Sequence, residues 1–557
     1  MRKNPILILL ITLMLIAQML PAQNSADELS PVTQTFALTN AKIVQKPGQV
    51  IEKGHIIIKD GLIQAVGANV SIPVDAKVIA ADSLTIYAGF IDGLSYTGIP
   101  RPENNRNNRP TVKHPGEPGN KLAGIQPELH AKDAIKANDK SIADLRKNGF
   151  TVAQIAPRGR MLPGGTDLIM LAGESADAML LKAGSGLYSQ LTGANRVYPR
   201  TVIGVMSKYR ELYKQAEQAQ AHEKAYTNNP QGMKRPNYDP SLQAFYPVIN
   251  QDKPVVFRAS DVKTAYRIFN LQEDLGFPLV LANVKQGWHI VDEIKQRKLP
   301  VYLSLELPDV KEKKKDDKEE EVSEEVKKFQ ERQQAELKKH QEQAATFEQA
   351  GIEFGFSLLS TKSKDIRPNL RALIKNGLSE NTALAALTTV PAKQLGLSNI
   401  LGTVEKGKIA NLVVTDASYF AEKSNVRYVF VDGHLFEYEV KPKKKEGDAS
   451  KKVDVSGTWS YVVKAPDQER EGKLTLKNDD GELTGTISNP NTGQDGPVQD
   501  LELNGNELSF TTGFSMGTQQ LTLQFNLIID GDDLEGNVSV GEFGTFEVEG
   551  QRSSTPD

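Results

Sequence analysis

Apolar and polar residues alternate with period two near the start of the chain and again far downstream. TFALTNAKIV, HIIIKDGLIQAVG and AKVIAADSLTI, between residues 35 and 85, read as short strands, because successive side chains of a strand point to opposite faces. Lys59-Asp60-Gly61 supplies a tight hairpin turn. LGTVEKGKIANLVVTD (401–416) and VRYVFVDGHLF (426–436) have the same texture. The segments 35–85 and 401–440 are therefore predicted to form one composite β-sandwich. That would bring together the two ends of everything between them.

The intervening stretch, 86–400, changes period. NGFTVAQIAP (148–157), PGGTDLIMLAG (163–173), KPVVFRAS (253–260), GFPLVLAN (276–283), KLPVYLSL (298–305) and GIEFGFSLLS (351–360) are short apolar runs. A helix near 131–147, DVKTAYRIFNLQEDL and VKQGWHIVDEIKQRK separate them. Strand and helix in alternation predict a parallel α/β architecture, read as a (β/α)₈ barrel.

Three polar regions interrupt it. Residues 101–122, rich in Asn, Pro and Gly, are expected to loop above the barrel mouth. Residues 309–345 are dominated by Lys, Glu and Gln, with Val322, Val326, Phe329 and Leu337 as a sparse stripe and Glu324 and Lys328 as a helix-supporting pair. A solvated helical insertion is the plain reading, a docking helix the sharper one. Residues 441–452, KPKKKEGDASKK, form a charged linker. Beyond it, 453–557 reads as a separate all-β barrel or sandwich of about eight strands, with Asp480-Gly481, Asn504-Gly505 and Asp530-Gly531 as turns. Trp459 there is read as core rather than as a sugar platform, with a spacer and a ligand cavity both open as roles for the domain.

The first residues follow another logic. Arg2 and Lys3 precede an apolar run from Ile6 to about Ala17, and Pro21-Ala22-Gln23 follows. This is the layout of a secretory signal peptide, residues 1–23. It predicts an exported protein, periplasmic or secreted, with no transmembrane segment after cleavage. A net charge of −3 gives no reason to expect nucleic acid. The absence of cysteine excludes disulfides, thiolate metal sites, cysteine nucleophiles and a lipoprotein anchor.

Two motifs resemble the amidohydrolase superfamily, in its imidazolonepropionase-related branch. IYAGFIDGLSYTG (86–98) resembles the first barrel strand, with Gly89, Ile91 and Asp92 in place. Thr388 to Ala392 and Gly407 to Leu412 resemble the turn and strand that close the superfamily's barrel, with Asn411 where Asp is usual. Ser379 is a good N-cap there, with Leu384 and Leu387 facing inward. The opening GTWSYVV of the C-terminal unit is similar to lipocalin-like domains.

The resemblance implies a divalent metal, commonly zinc, held by histidines from the first, fifth and sixth strands and an acid from the eighth. In this chain the two first-strand positions hold Leu94 and Tyr96, the fifth Arg258, the sixth Asn283 and the eighth Leu358 and Leu359 beside Ser357 and Ser360. A catalytic zinc needs about three protein ligands and an open position for water. Leucine has no donor atom, and neutral tyrosine is a poor ligand. Asp92 is the acid kept, in a position that mainly braces the strand. The seven histidines, His55, His114, His130, His222, His289, His340 and His434, are read as surface or packed residues. Lys113, His114 and Arg258 could make a cationic patch suited to an anion. No P-loop lysine accompanies PGGTDLIM, and no nucleophile elbow is present.

The expectation is an exported amidohydrolase-like protein that binds no cofactor and has become a non-catalytic subunit or binding protein. It would pair with an intact relative, or with itself. The alternatives are an active hydrolase of carbon–nitrogen bonds using a site outside the family positions, and ligand or glycan binding by the C-terminal domain.

Overall fold

The computed structural model describes residues 34–101, 112–309 and 324–439, then 451, 453–464, 469–479, 482–488, 495–516, 519–540 and 545–554. The expected leader, Val322, the Asp480-Gly481 turn and most of the charged linker lie outside these. The chain forms two compact units, Met1–Glu439 and Val440–Asp557. Among the described residues no helix is long and apolar enough to cross a membrane.

In the first unit, β1 (Phe36–Lys46), β2 (Gln49–Lys59), β3 (Leu62–Gly67), β4 (Lys77–Ala80) and β5 (Thr85–Ala88) form one sheet with three strands from the other end. Asp60 and Gly61, both at positive φ, make the β2–β3 hairpin. The central β5 is flanked by β1 on one side and by a strand from the distant segment on the other. Phe36 of β1 meets Phe430 edge to face at 5.4 Å. Three strand spacings of about 4.8 Å separate their strands in the sheet order, so the sheet folds over on itself. Its two layers enclose Leu38, Ile43, Ile56, Ile86, Leu412 and Val414.

The next eight strands stand side by side in chain order: β6 (Phe90–Ser95), β7 (Phe150–Ile155), β8 (Gly164–Met170), β9 (Leu180–Ser189), β10 (Val255–Arg258), β11 (Leu279–Val284), β12 (Val301–Ser304) and β13 (Gly355–Ser357). The sheet closes where the Leu358 amide and the Ser357 hydroxyl both donate to the Leu94 carbonyl, at 3.1 and 2.8 Å. The result is a TIM-type barrel with one departure from the expected repeat. β8 runs antiparallel to both β7 and β9, and no helix separates it from β7. β9 was not predicted, because Gly184 and Gly186 interrupt its apolar pattern.

Amphipathic helices cover the outside. Helix Val262–Leu275 buries Ala265, Ile268, Phe269, Leu271 and Leu275, and its Asp261 N-cap accepts from the Thr264 amide. The helix expected near 131–147 is instead a 3₁₀ turn, Ala131–Ala134, and a short helix, Lys140–Arg146, capped by Asp139. Helix Glu324–Gln349 occupies the described part of the charged insertion. Phe329 is exposed and Glu324 lies 3.6 Å from Lys328, but the far end buries Ala344 and Phe347 against the barrel. Ser379 caps helix Glu380–Leu387, and the Pro391 turn is a short helix, Thr389–Gln394. The chain then returns to the first sheet as β14 (Leu412–Thr415), β15 (Val426–Val431) and β16 (His434–Glu437).

The described residues of the second unit form nine strands in one antiparallel sheet. Its edge strands, Asp495–Pro497 and Gln499–Asn504, are consecutive in the chain. A sheet whose two edges are one residue apart must curl into a nearly closed barrel. Trp459 is fully buried inside, its indole donating to the Val455 carbonyl at 3.0 Å.

Candidate functional site at the barrel mouth

Every residue of β6 is buried. Two glycines make room for its neighbours. A Cβ on Gly89 would lie 2.3 Å from the Thr151 hydroxyl, and one on Gly93 would lie 2.0 Å from the ring of Tyr302. Asp92, between them, is fully buried. One carboxyl oxygen accepts from the amides of Leu94 at 3.2 Å and Leu358 at 3.1 Å, and the other has no partner. Burial pushes this carboxyl up to about 7, against the pull of its hydrogen bonds.

Above Asp92 the barrel interior is filled. Leu94, Ala156, Tyr188, Val256, Ala282, Tyr302 and Leu359 form one cluster, with Tyr96 at its edge. Tyr96 and Tyr188 join their hydroxyls at 3.2 Å. Burial first, then Tyr96, holds the Tyr188 phenol well above its ordinary range, although Arg258 and Arg158 oppose this. The Arg158 guanidinium lies 4.2 Å over the Tyr96 ring and donates to the Ile99 carbonyl. Arg258 reaches Gln190 at 3.4 Å, and its buried Nε has no partner. Among the described residues neither guanidinium is paired with a carboxylate.

The structure thus brings Leu94, Tyr96 and Arg258 to one end of the barrel. Asn283 lies to the side, buried at positive φ, donating to the Ser360 hydroxyl at 3.3 Å. Leu358 packs in the outer core, and Leu359 is the residue that faces the interior. The expected grouping of Lys113 and His114 with Arg258 is not formed by any described contact. Their segment is tied to the 193–200 loop, where the Pro115 carbonyl accepts from the Tyr198 amide at 2.8 Å. His130 lies 3.6 Å from the buried Asp167. His55 and His434 lie in the first sheet, His222 and His340 on helices, and His289 in a 3₁₀ turn.

Sequence reasoning missed Arg158, Tyr188, Gln190 and Tyr302. A signal existed for two of them. Tyr188 and Gln190 stand two apart where β9 ends, the spacing that puts side chains on one face.

The connections that leave β10 to β13 enclose a cavity of 570 Å³ with Lys285, Glu306, His340, Ser360 and Lys362 on its walls. Such connections carry the sites of TIM barrels. Lys285 is paired with Glu306, and burial lowers the His340 pKa.

The side chains at the end of β6 do not fit a divalent metal. Leu94 offers no donor, the two tyrosine hydroxyls satisfy each other, and two guanidinium groups would repel a cation. No group of three His, Asp or Glu side chains that could hold an ion occurs among the described residues.

Residues 273–436 match the model of the amidohydrolase family. An amidohydrolase from Thermotoga maritima MSB8 superposes with a TM-score of 0.60 at 20% identity, over 72% of this chain and 100% of that one. A prolidase complexed with N-methylphosphonate-L-proline gives 0.43 at 16%, over 73% and 100%. No curated protein matches. Residues 273–436 are thus similar to the amidohydrolase family, and the fold of the first unit is a TIM barrel.

Proposed function

We propose that this protein is a non-catalytic member of the amidohydrolase family, which binds an anionic group at the barrel mouth where its relatives would hold a metal. The observation that carries the reading is the packed layer of Leu94, Tyr188, Tyr302 and Leu359, closed by Tyr96 and bordered by Arg158 and Arg258, neither of which forms an ion pair among the described residues. Hydrolysis in such a family needs a polarised water beside the scissile bond. A leucine and a hydrogen-bonded tyrosine pair cannot polarise one. Two guanidinium groups outside any described ion pair suit a carboxylate or phosphate, which they can grip bidentately.

The kinship with imidazolonepropionase-type proteins, the lipocalin-like character of the second unit, export through the 1–23 leader and assembly with an intact relative belong to the same proposal. They rest on the motifs at 86–98, 388–412 and 457–463 and on the apolar run after Lys3. The test is metal content and activity of the purified full chain. We expect far less than one zinc per chain after mild dialysis, and no hydrolysis of dipeptides or cyclic amides with zinc added. About one bound metal per chain, or turnover that depends on it, would overturn the reading.

A further inference from the structure

A second concavity opens on the barrel rim. Its cavity of 760 Å³ is lined by Lys121, Arg160, Arg196 and Arg200, with Leu122 and Val197 among the remaining walls and no acidic residue among the described ones. The four cations come from connections that leave β6, β7 and β9 at the same end as the tyrosine pair. Several cations elsewhere in this unit are matched: Arg210 with Asp274, Arg297 with Glu273 and Glu293, Lys393 with Glu353. No ion pair engages any of these four among the described residues. Arg160 alone has a protein acceptor, the Gly193 carbonyl at 2.9 Å.

The loop that carries two of the arginines is held in shape. Its ends are joined by the Ala194 amide on the Pro199 carbonyl at 2.7 Å, and a Cβ on Gly193 would lie 2.1 Å from the Arg200 carbonyl oxygen. Arg196, at the tip, has φ +62°, a conformation that costs a non-glycine residue energy. A rigid loop that presents guanidinium groups loses little freedom when a ligand arrives. Lys113 lies on the neighbouring segment and adds a positive charge. All this sits on a chain whose net charge is −3, so the positive field here is local.

We infer that this rim cavity is a binding site for a small, multiply charged anion of the phosphate or phosphate-ester class. The planar donor fork of an arginine matches two oxygens of a phosphate at once. The wall formed by Leu122, 43% exposed, would cover the organic part of an ester. The inference is independent of what the barrel interior does.

The test is calorimetric titration of the full chain with inorganic phosphate, pyrophosphate and glucose 6-phosphate at low ionic strength. We expect saturable binding of at least one probe, weakening as salt is raised. Arg196→Ala and Arg200→Ala should each weaken it about tenfold, the loss of one charge-assisted hydrogen bond. Both side chains are exposed, and unchanged unfolding curves would show that the fold is kept. Arg196→Lys should retain part of the affinity. Tighter binding of the ester would assign a role to Leu122, and equal binding would assign the site to phosphate itself; both outcomes support it. Arg158→Ala and Arg258→Ala should leave this binding unchanged, which separates it from the interior site. No saturation by any probe at about 10 mM, roughly a hundredfold in free-ligand terms above a Kd of ~0.1 mM, or affinity indifferent to the Arg196→Ala/Arg200→Ala double substitution, would overturn the inference.

Discussion

The amide of Leu358 donates to the carboxyl group of Asp92 at 3.1 Å across the seam where the last barrel strand meets the first. The same oxygen accepts from the Leu94 amide. One buried side chain thus organises both sides of the closure, and its second oxygen is left without a partner.

Asp92 should make the barrel less stable as pH rises. Its folded carboxyl is pushed up to about 7 by burial, against an ordinary 3.8. Between those values the folded state holds a proton that the unfolded chain has released. The stability contribution is therefore complete only below the ordinary 3.8, falls as pH rises toward about 7, and levels off above it. Asp92→Asn keeps an acceptor for the two amides and cannot ionise. It should lose this slope and be the more stable form at pH 8 by a few kcal/mol, with a ceiling of about 4. Thermal unfolding at pH 5 and pH 8 measures this; parallel slopes for both proteins would count against it.

Gly93 should tolerate no side chain while Tyr302 is present. A Cβ there would sit 2.0 Å from a buried ring carbon. Gly93→Ala is expected to cost about 3 kcal/mol, at the upper end for overpacking. Adding Tyr302→Leu should restore part of that loss in chemical denaturation. If Gly93→Ala alone leaves the midpoint unchanged, the ring does not lie where the structure puts it.

The tyrosine pair should be energetically coupled. Tyr188→Phe removes one hydroxyl and leaves that of Tyr96 without its partner, a loss of about 1 kcal/mol. Tyr96→Phe together with Tyr188→Phe should cost less than the two single changes added. Strict additivity in the double-mutant cycle would show the 3.2 Å contact to be incidental.

Much of the barrel was legible because it is written locally. β10, β11 and β12 are apolar runs bounded by turns, and Ser379 announces its helix by capping chemistry. β9 was not, since its two glycines serve close approach: a Cβ on Gly186 would lie 2.7 Å from Val256. Nor does sequence tell direction, and PGGTDLIMLAG reads the same whether β8 runs up or down the barrel. At the site, Leu94, Tyr96 and Arg258 could be named from their spacing along a motif. Tyr302 could not, because what brings it to Gly93 is the curvature of a sheet closed across more than half of the unit.

The second unit should fold by itself. Trp459, Leu474, Phe510, Phe525 and Val548 form a core drawn wholly from its own strands. Residues 453–557, expressed alone, should unfold in one cooperative transition when tryptophan fluorescence is followed, Trp459 being the single indole in that segment. A soluble product without a transition would show that the core needs help from the rest of the chain.

Thr85 and Thr415 are register partners, with the Thr415 hydroxyl on the Thr85 carbonyl across 330 residues of chain. During synthesis β5 therefore emerges with one side unclaimed, and the strand that claims it is made only after the whole barrel. Pairing across such a separation is slow, and an apolar edge left open meanwhile is a template for the wrong partner. The nascent chain consequently needs shelter until its closing strands arrive. A product that stops short of β14 would carry that open edge permanently, so truncations there should aggregate rather than merely lose stability.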